Sequence, residues 1–122
     1  MKKPLVKKWV KALRSDKYVQ GDGALRQRNE EEFGGPDEFC CLGVLCDLVE
    51  PERWSKRAYL GRVNFGEKPS GEDTFNNRGL PSQDFLEQVG LEPNLAIALA
   101  ELNDDGKSFS KIADYIEEKL LV

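Results

Sequence analysis

The chain has 122 residues and a mass of 13.8 kDa, the size of one domain. Hydrophobic residues make up 39% and charged residues 33%, enough for one small core beneath a polar surface. It has no histidine, which excludes Ser-His-Asp and Cys-His nucleophile systems, histidine-ligated zinc, and the side chain that titrates most readily near neutral pH.

The net charge of −4 is unevenly divided: residues 1–28 hold nine Lys/Arg against two Asp/Glu, and the remainder nine against twenty. The basic end reads as a solvated helix face answered by acidic surface in the same molecule, or as a patch for phosphates or an acidic partner. Nucleic acid is the less expected partner, because a groove binder spreads its positive charge over the domain. No apolar stretch reaches the roughly 20 residues of a membrane span, and the Lys-rich start lacks an apolar signal region. The expectation is a soluble cytoplasmic protein.

Pro4 suits a first helical turn. Leu5, Val6, Trp9, Val10 and Leu13 follow as one apolar stripe, with Lys2, Lys3, Lys7, Lys8, Lys11 and Arg14 on the other side, the pattern of an amphipathic helix. Ser15-Asp16 ends it, and residues 18–23 read as an irregular loop. Ala24-Leu25-Arg26 begins a short strand, and Gly34-Gly35-Pro36 signals a turn. From Phe39 to Val49 the chain reads as buried. Cys41, Val44, Leu45 and Leu48 at i, i+3, i+4 and i+7 favour a helix, in which Gly43 would let a second backbone come close. Pro51 stops that helix. Residues 53–80 mix aromatics with Gly, Asn and Arg and read as a hairpin with strands near 58–65 and 73–77. Three helices follow: one over Phe85, Leu86 and Val89 with Gly90 at its C-terminus; one capped by Asn94 and carrying Leu95, Ala98, Leu99 and Leu102; and one capped by Ser108 with Phe109, Ile112, Ala113, Ile116 and Leu120 on a stripe. The last two are joined by a tight turn and form a helical hairpin. The fold class expected is α+β: a single small domain over 1–122, mainly helical, with a central β-hairpin or small sheet.

Several groups of residues carry possible chemistry. Cys40, Cys41 and Cys46 lack C-x2-C spacing and sit in an apolar run, so they read as buried, reduced thiols, and no histidine is present to activate them. Asn103-Asp104-Asp105-Gly106 lacks the repeat and distal glutamate of a calcium loop and reads as a helix-connecting turn. Glu30-Glu31-Glu32, near Asp37-Glu38, reads as solvated carboxylate rather than an acid/base pair. No glycine pattern matches a phosphate loop. What remains is arginine among aromatics and amides: Arg26, Arg28, Arg53, Arg57, Arg62 and Arg78, with Tyr18, Trp54, Tyr59, Phe65, Phe75, Asn76 and Asn77. Guanidinium forks grip phosphate oxygens, aromatic faces stack on bases and amides read base edges. Such a set is either an ordinary surface over a core or a site for a nucleotide or other phosphorylated ligand. The candidate ligand-binding residues are Tyr18, Arg26, Arg28, Arg57, Tyr59, Phe75, Asn76 and Arg78.

Three segments form a recognisable pattern: Trp9-x-x-Ala12-Leu13-x-Ser15-x-x-Tyr18-x-Gln20, then Phe39 to Leu48 (FCCLGVLCDL), then Leu102-Asn103-Asp104-x-Gly106-Lys107-Ser108-Phe109 with Ile112-Ala113-Asp114-x-Ile116. The pattern resembles a group of small, functionally uncharacterised proteins of phage and prophage genomes. The resemblance spans both ends of the chain, leaves 50–80 poorly matched, and implies no catalytic residues, cofactor or metal. By analogy with other small phage proteins it implies a protein that works by binding, acting against host defence by sequestering a nucleotide signal or inhibiting a host protein. Residues and resemblance together give a non-enzymatic binding protein for an anionic small molecule (a nucleotide) or a host protein. A homodimeric scaffold is the alternative, and a small carboxylate-dependent enzyme the third reading.

Overall fold

The first helix, α1 (Lys3–Arg14), starts at Pro4 and buries Val6, Trp9, Val10, Ala12 and Leu13 along one stripe, while its lysines face solvent. Ser15 closes it, donating from both its backbone N–H and its hydroxyl to the Ala12 carbonyl at 3.2 and 2.7 Å. The computed structural model describes residues 1–28, 35–59, 61–66 and 79–121, with backbone alone at 57–59.

Five short strands follow in part and pair in the order β1-β3-β2-β5-β4: β1 (Val19–Gln20), β2 (Arg26–Gln27), β3 (Glu38–Phe39), β4 (Trp54–Tyr59) and β5 (Arg62–Phe65). β1 and β3 run parallel; the other pairs are antiparallel. Residues 18–23, expected as an irregular loop, therefore contain a strand, held by pairing to Glu38 and Phe39; two residues are too few for an alternating pattern. The hairpin also differs from expectation. The segment near 58–65 is two strands with a turn between them, where Gly61 takes φ +80°, a left-handed conformation that glycine adopts without strain. The second strand expected at 73–77 lies outside the described residues.

The helix α2 (Cys41–Val49) is buried on every side through its first six residues. Gly43 is the reason it can sit there: a Cβ at that position would lie 1.8 Å from the Leu25 carbonyl oxygen. That carbonyl also accepts the Cys40 N–H at 3.2 Å, so it cannot retreat without breaking a bond.

The C-terminal third is α3 (Gln83–Val89), α4 (Pro93–Asp104) and α5 (Phe109–Leu120). Ser82 and Ser108 cap α3 and α5, and Gly90 ends α3 at φ +74°. The cap of α4 is Glu92, not Asn94, because Pro93 fits the first helical turn and fixes the start two residues earlier than the side-chain signal. α5 lies along α1, and α2 packs against both α1 and α4. One core results, with Trp9, Phe65, Phe85, Leu45, Leu99, Ile112 and Ile116 fully buried. This is the expected α+β fold, mainly helical with a small mixed sheet. Among the described residues no helix is long and apolar enough to cross a membrane.

Gly43→Ala is expected to destabilise the domain by about 1–3 kcal/mol or more, an overpacking cost that outweighs the 0.5–1 kcal/mol gained by replacing a helical glycine. Urea denaturation of the two proteins measures it; an unchanged midpoint would contradict the close approach.

Candidate functional site

Two of the six arginines singled out in the sequence, Arg26 and Arg53, lie on a ladder of aromatic rings that crosses the sheet. Tyr18, Phe39, Trp54, Phe65 and Phe85 meet edge to face in that order, with centroids 5.1, 6.0, 5.0 and 5.1 Å apart, the geometry that aromatic quadrupoles favour. Arg26 lies over Phe39 and Trp54 at 5.1 and 5.4 Å, and Arg53 over Phe65 and Phe85 at 4.6 and 5.7 Å. Planar, weakly hydrated guanidinium is suited to such stacking.

The polar ends of the ladder are occupied from within the chain. The Tyr18 hydroxyl donates to Asp47 Oδ2 at 2.6 Å, and Trp54 Nε1 to Asp47 Oδ1 at 3.0 Å. Burial first, and then the Asp47 carboxylate, push the Tyr18 phenol well above its ordinary pKa. Arg26 Nε donates to Asp37 Oδ2 at 2.8 Å. Arg53 Nε donates to the Gly66 carbonyl at 2.5 Å and pairs with Glu50 at 3.8 Å. Arg28 is partly exposed; its Nη2 reaches the Lys56 carbonyl at 3.4 Å and its backbone N–H donates to Gly61 at 2.6 Å. Gln27 pairs with Arg62, which is exposed on β5. Arg57 and Tyr59 belong to β4, of which only the backbone is described there. Phe75, Asn76, Asn77 and Arg78 lie outside the described residues. Tyr18 and Arg26 are thus brought together through Phe39, and both are engaged internally, Tyr18 by Asp47 and Arg26 by Asp37.

A second cluster is built on Asn103 and Asp104, read from the sequence as part of a helix-connecting turn but lying in the last turn of α4, and on Gln20, whose link to them was not foreseen. Asn103 is 2% exposed, and its Oδ1 accepts the Cys41 N–H at 3.1 Å and Gln20 Nε2 at 3.2 Å, while its Nδ2 donates to the Gly21 carbonyl at 2.7 Å. Gln20 Nε2 also donates to the Lys107 carbonyl at 2.7 Å, and its Oε1 accepts the Phe109 N–H at 3.0 Å. Asp104 accepts the Gly23 N–H at 3.0 Å. The turn after α4 is therefore bound to the loop after α1 and to the start of α2. One signal was available: Asn103 continues the stripe of Ala96 and Leu99 at i, i+3 and i+7, an amide in a core position.

The thiols are buried. Cys40 caps α2, its Sγ accepting the Gly43 N–H at 3.4 Å; the Cys41 thiol donates to the Leu99 carbonyl at 3.5 Å. All three are free cysteines. Burial pushes the Cys40 thiol up to about 11 and raises Cys41 and Cys46 as well, the opposite of what a reactive thiolate needs. Among the described residues no group of three or more Cys, Asp or Glu is placed to hold a metal ion.

The basic side of α1 is the remaining polar feature. Lys2, Lys3, Lys7, Lys8 and Lys11 are exposed and make no salt bridge with the described residues. Arg14 differs: it reaches Asp114 at 2.6 Å and also Glu117.

The family model for a domain of unknown function, DUF8296, matches residues 1–120. No curated protein and no solved structure matches the chain.

Replacing Asn103 with Leu is expected to cost about 2–4 kcal/mol, since the Cys41 N–H and the Gly21 carbonyl each lose a buried partner. A double-mutant cycle with Gln20→Ala should return a coupling of about 0.5–3 kcal/mol; additive effects would break the proposed link between the two amides. The thiols make a second test. A folded thiol keeps its proton at a pH where an unfolded one has released it, so raising the pH favours the unfolded chain. Stability is expected to fall from about pH 9 towards about pH 11, the Cys40 value. The loss of urea midpoint between pH 7.5 and 10.5 should be smaller in Cys46→Ala than in the native protein.

Proposed function

The chain belongs to the DUF8296 family of domains of unknown function, and from the geometry above we propose that it is a non-enzymatic binding protein that captures an anionic partner on the lysine face of α1. One contrast carries the reading. Arg14, Arg26 and Arg53 each have a carboxylate in hand, whereas five lysines on and beside one helix turn to solvent with no ion pair among the described residues. Lysine's compact, strongly hydrated charge serves long-range attraction and an adaptable surface.

The internal engagement of Tyr18 and Arg26 weighs towards a protein partner over a small nucleotide. Raised thiol pKa values and the absence of histidine support a binding role over catalysis. The motif resemblance to small phage proteins supports a setting in the bacterial cytoplasm, where the partner would be a host protein. A nucleotide is the second reading; the β2–β5 pairing favours it by setting Arg62 opposite Gln27, next to Arg28.

The test is binding of polyglutamate and of a nucleotide panel to the native protein and to a Lys7→Glu/Lys8→Glu/Lys11→Glu variant. Exposed ion pairs contribute up to about 1 kcal/mol each, so polyglutamate affinity at low salt should fall about tenfold or more, and binding should weaken steeply with salt. Equal binding by both proteins would overturn the reading. Nucleotide binding lost on Arg28→Ala or Arg62→Ala would replace it with the second one.

A further inference from the structure

Between α1 and α5 the surface opens into a groove of about 490 Å³, lined by Lys7, Val10, Lys11, Arg14, Glu117 and Leu121. Its chemistry follows from helical spacing. Lys7, Lys11 and Arg14 stand at i, i+4 and i+7 and share one stripe, while Lys8 lies about 100° further round the helix. Val10 and the half-buried Leu121 give the groove an apolar floor. Arg14 is held by Asp114 and Glu117, and its hydrogen bond lowers the Glu117 pKa, keeping that carboxyl ionised. That end of the groove therefore carries one guanidinium against two carboxylates, a net charge of −1. Lys7 and Lys11, about 6 Å apart along the helix axis, add two positive charges beyond it and leave the whole set at +1.

The groove therefore asks for two things at once: an apolar side chain over Val10 and Leu121, and carboxylates one helical turn apart facing Lys7 and Lys11. An acidic amphipathic helix supplies both from a single face. A phosphodiester backbone would meet the two lysines but bring nothing apolar to the floor. We propose that the α1–α5 groove is the docking site for an acidic amphipathic helix of a partner protein, with an apolar anchor seated over Val10 and Leu121. The inference rests on the anionic-partner reading and narrows it to one surface and one kind of partner.

The experiment uses the full chain and four labelled probes: a helical peptide with leucine anchors and glutamates at i and i+4, the same peptide with serine in place of leucine, polyglutamate, and duplex DNA. Binding is read by fluorescence anisotropy at moderate salt for the native protein, Lys7→Glu/Lys11→Glu, Leu121→Gln and Lys8→Glu, each first shown to melt as the native protein does. The leucine peptide should bind at least tenfold tighter than the serine peptide. Lys7→Glu/Lys11→Glu should weaken it about tenfold or more and Lys8→Glu less than twofold; Leu121→Gln should weaken it severalfold while leaving polyglutamate unchanged. Equal binding of the two peptides, or an equal loss from Lys8→Glu, would overturn the groove and leave the broader anionic reading standing. Tighter binding of DNA would replace the acidic helix with nucleic acid. Failure of all four probes would overturn both readings. Sedimentation of the native protein completes the test: self-association abolished by Lys7→Glu/Lys11→Glu would give the groove to a second copy of the chain.

Discussion

The amide of Asn103 is the constraint on which the rest of the arrangement depends. Its oxygen holds the backbone N–H of Cys41, in the first turn of α2, and its nitrogen holds the Gly21 carbonyl beyond β1. Those two groups come from segments far apart in the chain, and neither belongs to a helix or strand bond that would satisfy it otherwise. A buried polar group without a partner costs about 1–3 kcal/mol, so one well-placed side chain decides whether α2 can start inside the core. Gln20 extends the same link to Lys107 and Phe109, which fixes the turn between α4 and α5. With that turn fixed, α5 lies along α1, and the groove between them exists.

A second constraint is steric. α2 is buried so completely because Gly43 leaves space for the Leu25 carbonyl. Trp9 joins the same region from α1, its Nε1 donating to the Cys41 carbonyl at 2.9 Å. The cysteines fill the remaining volume as small apolar side chains with weak donors, which is their usual role in an interior. Polar satisfaction by Asn103 and close backbone approach at Gly43 thus act on the same few residues of α2.

The cations divide by chemistry. Arginines stack on the aromatic ladder and pair with Asp37 or Glu50, where a planar, weakly hydrated group loses little on partial burial. Lysines remain exposed at the surface of α1, strongly hydrated. The uneven distribution of charge along the chain therefore becomes a division of labour in space, with structural guanidinium groups on the sheet and a basic helix face outside.

Much of the fold was legible because it depends on local periodicity. The stripes of α1, α2 and α5 and the stops at Pro51 and Gly90 follow from neighbours within a few residues and were read correctly; the backbone that approaches Gly43, at Leu25, comes from a distant segment. The strands were less legible, since β1, β2 and β3 have two residues each and owe their existence to pairing with distant backbone. The candidate site divides the same way. Composition left open whether the arginines and aromatics were an ordinary surface over a core or a ligand site; Tyr18, Arg26 and Trp54 come together around Phe39, and nothing local showed that Asp47 and Asp37 would take their polar atoms. Asn103 sat on an apolar stripe in plain view, yet its partners lie 62 and 82 residues away. What the sequence by itself determined was the set of amphipathic helices and most of their ends, α4's start excepted, because these rest on short-range geometry. Only the tertiary structure decided which polar groups are spent inside the molecule and which stay in solvent, because that depends on long-range pairings that periodicity does not encode.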